Sequence, residues 1–147
     1  MFRTRYTRAI LVIAIFSILL TGLIGLAFAK HYYAEKVIGP RGGRLHTSDG
    51  TALIIPRRAL KKRTLISMEV ISDGESRVEF CFEPDGLRFR RPVIIKLSWK
   101  TLKDVEADEL ILYDEDGNPV SEAIWDRRHK RAIFTIWHFS RYYFDRR

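Results

Sequence analysis

From Val78 to Trp99 apolar and polar positions alternate. Val78, Phe80 and Phe82 fall on one side and Glu79, Cys81 and Glu83 on the other, the period of two that predicts a half-buried strand. Pro84-Asp85-Gly86 supplies a turn: proline presets φ, aspartate can bond the following backbone, and glycine tolerates positive φ. Beyond Leu87 and Phe89, Pro92 is placed to open a second strand, where its missing N–H does least harm. Val93, Ile95, Leu97 and Trp99 then share an apolar face. The two strands read as a hairpin whose apolar faces require a second layer from the rest of the chain.

Taken in order, residues 30–38 read as a short tether, and Gly39-Pro40-Arg41-Gly42-Gly43 marks the start of a folded domain over residues 39–147. Arg44 to Thr47 predicts a short strand, Ser48-Asp49-Gly50 a turn, and Thr51 to Ile55 a strand ended by Pro56. One helical turn is expected around Ala59 and Leu60. Thr64 to Ile71 alternates, and Asp73-Gly74 turns the chain into the central hairpin. Thr101 to Asp108 is polar, a short helix or a loop. Leu110 to Tyr113 is a strand that ends in the acidic loop Asp114 to Pro119. Val120 to Trp125 and Ala132 to His138 form a hairpin around the basic linker Asp126 to Arg131, and Ser140 to Phe144 is a last strand. About eight or nine short strands without a long helical period predict an all-β fold, an antiparallel β-sandwich.

The N-terminal part differs. Residues 1–8 hold Arg3, Arg5 and Arg8 and no acid, and residues 9–29 carry no charge at all. Such a run is long enough to cross a bilayer core of roughly 30 Å, so one transmembrane helix is expected. The preceding arginines favour a cytoplasmic N-terminus and a C-terminal domain outside the cytoplasm, a single-pass protein of the cell membrane. His31, Tyr32 and Tyr33 then stand where aromatic rings favour the interface. The alternative is a secretory signal cleaved after Ala29, since Ala27-Phe28-Ala29 has the small-x-small form, although the apolar run exceeds the roughly 7–15 residues usual for a signal. Cleavage would give a secreted protein. Both readings put the domain on the same side of the membrane.

The formal charge of +8 includes the three leading arginines, which leaves 23 basic against 18 acidic groups, or +5, for the remainder. So mild a bias, without a recognition helix or stacking platform, gives no reason to expect nucleic acid. The single cysteine, Cys81, excludes an internal disulfide and a thiolate metal site.

Several short pieces follow one another in a set order. They are Gly42-Gly43-Arg44-Leu45, Leu53-Ile54-Ile55-Pro56 followed by Ala59-Leu60, Phe82-Glu83-Pro84-Asp85-Gly86-Leu87-Arg88-Phe89 with Pro92-Val93, and His138-Phe139-Ser140. In that order and spacing the chain resembles the ZU-five domain of zonula occludens proteins, netrin receptors, ankyrins and the death-domain protein of the PIDDosome, over roughly residues 39–144. The resemblance implies a β-sandwich that serves as an interaction and structural module without a cofactor. A small membrane-tethered copy without a death domain looks bacterial or archaeal. The resemblance also implies a candidate chemistry, because His138-Phe139-Ser140 is self-cleaved before the serine in some relatives. There the hydroxyl attacks the preceding carbonyl, and the resulting ester is hydrolysed. Residues i and i+2 of an extended strand share a face, so His138 is the candidate base and Ser140 the candidate nucleophile. Against this, cutting after Phe139 would free only residues 140–147 and release no domain. The plainer role is local hydrogen bonding that closes the last hairpin.

Basic clusters are the other candidate site. Arg57, Arg58, Lys61, Lys62 and Arg63 form one, Arg88, Arg90 and Arg91 a second, and Arg127, Arg128, Lys130 and Arg131 a third. Each suits an anionic partner, a lipid headgroup or an acidic envelope polymer, or else serves as a solvated loop. The acids Asp104, Glu106, Asp108 and Glu109 with Asp114, Glu115 and Asp116 lack the calcium-loop pattern, since position twelve counted from Asp114 is Trp125. No metal is expected. Cys81 belongs to the polar side of its strand, an outward thiol unless a neighbouring loop covers it. Trp99, Trp125 and Trp137 read as core or sheet-edge residues. No phosphate loop, nucleophile elbow, dinucleotide fingerprint or histidine ligand pair is present, so a conventional enzyme has no support. The expectation is an extracytoplasmic binding module for a protein or an anionic envelope component, with self-processing between Phe139 and Ser140 as the rival.

Overall fold

The alternation translates into eleven strands among residues 29–73, 77–98 and 110–146, the part of the chain that the computed structural model describes. These are β1 (Lys30–Ile38), β2 (Gly43–His46), β3 (Ala52–Ile55), β4 (Thr64–Ser72), β5 (Val78–Glu83), β6 (Arg88–Ser98), β7 (Leu110–Asp114), β8 (Pro119–Glu122), β9 (Ile124–Asp126), β10 (Arg131–His138) and β11 (Arg141–Arg146). They form a six-stranded sheet, β1-β4-β5-β11-β7-β8, and a five-stranded sheet, β2-β3-β6-β10-β9, with every pairing antiparallel. The described residues contain no helix. The predicted membrane span, the polar stretch after Trp99 and that tryptophan itself lie outside them.

One core joins the two sheets. Ile66, Met68 and Val70 of β4, Val78, Phe80 and Phe82 of β5, and Tyr142 and Phe144 of β11 meet Leu53, Val93, Ile95, Leu97, Phe134 and Ile136 from the other sheet. Aromatic rings make the centre: Phe144 lies 4.1 Å from Phe134 and edge-on to Phe80 at 5.2 Å. Such pairs add about 1 kcal/mol each beyond the area they bury.

Four details differ from the sequence reading. First, β5 and β6 are not a hairpin. The Pro84–Leu87 turn carries the chain from one sheet to the other, so the two apolar faces oppose each other across the core. Second, β6 begins at Arg88, with Pro92 inside it. The missing N–H is tolerated because pairing with β10 slips between Ile136 and His138, and β3 pairs only from Ile94 onwards. Third, residues 30–38 are β1 rather than a tether, paired with β4 from Lys30↔Ser72 to Ile38↔Thr64. As an edge strand it buries only Ile38 fully, so its alternation is weak. Lys36 sits in the core-facing register but reaches out to the Arg44 carbonyl at 3.4 Å, a charge that discourages further pairing of the edge. Fourth, the stretch after Pro119 is two strands. The chain changes sheet at Ala123, whose N–H donates to the Leu110 carbonyl at 3.2 Å.

Candidate functional site

Registers fix which loops share an end of the sandwich. At the upper end lie the β1–β2, β3–β4 and β5–β6 connections, because Ile38↔Thr64, Gly43↔Ile55 and Arg88↔His138 are the terminal pairs there. At the lower end lie Lys30↔Ser72, His46↔Ala52 and Ser98↔Arg131.

This sorting divides the three basic clusters. Arg57, Arg58, Lys61, Lys62 and Arg63 follow β3, and Arg88, Arg90 and Arg91 open β6, all at the upper end. Backbone hydrogen bonds lock these segments together: Arg58 N–H donates to the Pro40 carbonyl at 2.8 Å and Arg90 N–H to the Ala59 carbonyl at 3.1 Å. The expected helical turn at Ala59 and Leu60 is instead a tight turn in which Ala59 N–H bonds the Pro56 carbonyl at 3.2 Å. Both side chains, only 1% and 4% exposed, plug the loop into the core, leaving its charged neighbours in solvent. Arg58 holds φ at 65°, a left-handed conformation that costs a non-glycine residue about 1 kcal/mol or more. Gly42 has φ +78°, and a Cβ there would meet the Ile55 carbonyl oxygen at 2.6 Å. Glycine therefore lets the β1–β2 and β3–β4 loops touch.

Arg41 and Arg44 join the same end, both exposed. Neither belongs to the three basic runs; Arg41 lies in the glycine-rich boundary, between Pro40, whose carbonyl accepts from Arg58 N–H, and Gly42. Among the described residues no ion pair links any of these ten cations to a carboxylate. Arg127, Arg128, Lys130 and Arg131 are elsewhere, at the lower-end β9–β10 turn, which is held by Asp126 accepting from the His129 backbone and ring nitrogens at 3.2 and 2.7 Å. The His129 contact holds the Asp126 carboxyl below the usual range.

The other half of the upper end is acidic. Glu83, Asp85 and Glu115 line a cleft of about 150 Å³ with Cys81, Ser140 and Arg141. Cys81 points outward between Glu69 and Arg141 and is half-buried. Burial pushes its thiol pKa up, with Arg141 acting against the shift. Asp114 is occupied by its own turn, accepting from the N–H groups of Asp116 and Asn118 at 3.0 and 2.8 Å, with the Asn118 bond the largest cause of its lowered pKa. Among the described residues no group of three or more His, Cys, Asp or Glu could hold a metal ion.

His138 ends β10 and Phe139-Ser140 forms the link to β11. Phe139 is fully buried, its ring 4.9 Å from Phe82 and 4.8 Å from Phe89. Its N–H donates to the Leu87 carbonyl at 2.8 Å, and its carbonyl accepts from Gly86 N–H at 3.0 Å. The peptide bond before Ser140 is thus clamped to the Pro84–Leu87 turn. Ser140, 9% exposed, turns toward the acidic cleft. The strand is broken between the two candidate residues, and no hydrogen bond joins His138 to Ser140. The His138 ring lies instead 5.9 Å from the Tyr142 ring. Trp125 packs half-buried against the core, whereas Trp137, 58% exposed, stands on the outer face of its sheet.

The chain matches no protein-family model and no curated protein.

Proposed function

We propose that this chain is a membrane-anchored, extracytoplasmic binding module whose upper-end basic loops take an anionic component of the cell envelope. One observation carries the reading: ten exposed cations from three separate segments meet at one end with no carboxylate partner among the described residues. Mutual repulsion makes such an arrangement unfavourable in the free protein, and an anion relieves it. The pieces that carry the ZU-five resemblance also gather here, which favours an interaction role over a purely structural one.

The test is binding of the full-length chain to labelled inorganic polyphosphate at increasing salt. Affinity should fall steeply with salt and drop further in a variant carrying R57Q, R58Q, K61Q and K62Q. Equal binding by that variant would refute the reading.

A second reading, self-processing, is favoured by one feature. The Phe139 carbonyl already accepts a backbone donor while the adjoining Ser140 lines the acidic cleft. Intact mass separates the two: a species ending at Phe139, abolished by Ser140→Ala, would establish cleavage, and an undivided chain would exclude it.

A further inference from the structure

If residues 9–29 span a membrane, β1 starts beside it, and the strand registers set which charged loops share that end of the sandwich. β1 begins at Lys30, one residue after that run, and is paired with β4 along its whole length. Eight residue steps at about 3.3 Å separate Lys30 at the lower end from Ile38 at the upper end, a rise of roughly 26 Å. With β1 upright on the membrane, that is about three Debye lengths at physiological salt, too far for lipid charges to reach the upper basic loops. The lower-end turn with Arg127, Arg128 and Lys130 shares the end at which β1 starts.

The upper end also discriminates between kinds of anion. Its basic half adjoins the half that carries Glu83, Asp85 and Glu115. A flat anionic surface laid across the end would press against those carboxylates as well as the cations. A narrow chain can run over the basic half alone. Within these loops Ala59 and Leu60 are buried, and the exposed apolar side chains at this end, Val37 and Leu65, stand on the outer face of the six-stranded sheet rather than at the loop tips.

We propose that β1 is a rigid spacer that holds the upper basic loops clear of the host membrane. They then bind, in trans, a linear polymer bearing repeated phosphate or carboxylate groups. The proposal rests on the anchored reading above and adds the ligand's shape and side.

The full-length chain is placed in phosphatidylcholine vesicles and given labelled inorganic polyphosphate. Capture should fall about a hundredfold or more with K61Q, K62Q and R63Q combined, and stay within about twofold with R127Q, R128Q and K130Q combined. Replacing the host lipid with a phosphatidylglycerol-rich mixture should leave capture unchanged. Loss of capture in that mixture, or an equal effect of the lower-end variant, would overturn the spacer. Protein-free phosphatidylglycerol vesicles captured in preference to polyphosphate would overturn the polymer and indicate an apposed bilayer. A chain that fails to float with its vesicles would remove the anchored reading itself. A chain that floats but captures no polyphosphate would refute only the ligand.

Discussion

The Tyr142 hydroxyl donates a 2.7 Å hydrogen bond to the carbonyl of His138, four residues upstream, and so ties the start of β11 back to the end of β10. The two strands belong to different sheets, which makes this bond a brace across the link that holds Phe139 and Ser140. Tyr142 is fully buried, and burial pushes its pKa up to about 12. A folded-state pKa raised above the ordinary value of about 10 means stability that is complete below pH 10 and lost as pH climbs through 12. Denaturant unfolding should therefore show a loss of about 2–3 kcal/mol across that range. Tyr142→Phe should cost about 1 kcal/mol at neutral pH and flatten the alkaline loss.

Gly42 tests the backbone that brings the basic loops together. Alanine at φ +78° would set a Cβ 2.6 Å from the Ile55 carbonyl oxygen and 2.9 Å from the Arg57 nitrogen, both backbone atoms that cannot swing aside. Gly42→Ala should destabilise by about 2–3 kcal/mol in urea unfolding and weaken polyanion binding as the Arg57 loop shifts. A neutral effect on both would mean that the loops are not held by this contact.

Asp49 anchors the lower end. Its buried carboxylate accepts from Thr51 N–H at 3.2 Å, from the Thr51 hydroxyl at 2.6 Å and from the Thr47 hydroxyl. The Thr51 hydroxyl in turn accepts from Ser98 N–H at 3.3 Å, joining this turn to β6. Asp49→Ala strands several buried donors and should cost about 2–3 kcal/mol, read as a lowered Tm. Anion binding should be unchanged, because the basic loops lie at the opposite end.

Burial raises the Cys81 pKa, so its thiolate is scarce at neutral pH. Alkylation of the native chain by iodoacetamide should be slower than that of a free thiol at pH 7 and should rise at higher pH than the free thiol does. Rapid labelling at pH 7 would contradict the half-buried placement.

The sequence carried the faces of the strands further than their neighbours. Alternation in Thr64–Ser72 and Val78–Glu83 marks the core side of β4 and β5 correctly, because a period of two reports burial directly. It does not say which strand lies alongside. Nothing in Pro84-Asp85-Gly86 distinguishes a hairpin turn from a crossing between sheets, and the crossing is what sets β5 against β6. β1 went unread since an edge strand with Lys36 in its core-facing register carries little pattern. The cations were visible as three runs. Their regrouping into two ends depends on strand registers that join residues far apart in sequence, and so does the recruitment of Arg41 and Arg44.

Chemical-shift mapping of the full-length chain, titrated with short inorganic polyphosphate, tests the proposed binding surface most directly. Perturbations should concentrate in residues 41–44, 57–63 and 88–91 and leave Arg127–Arg131 still. Shifts centred on the lower-end turn, or spread evenly over both ends, would contradict it.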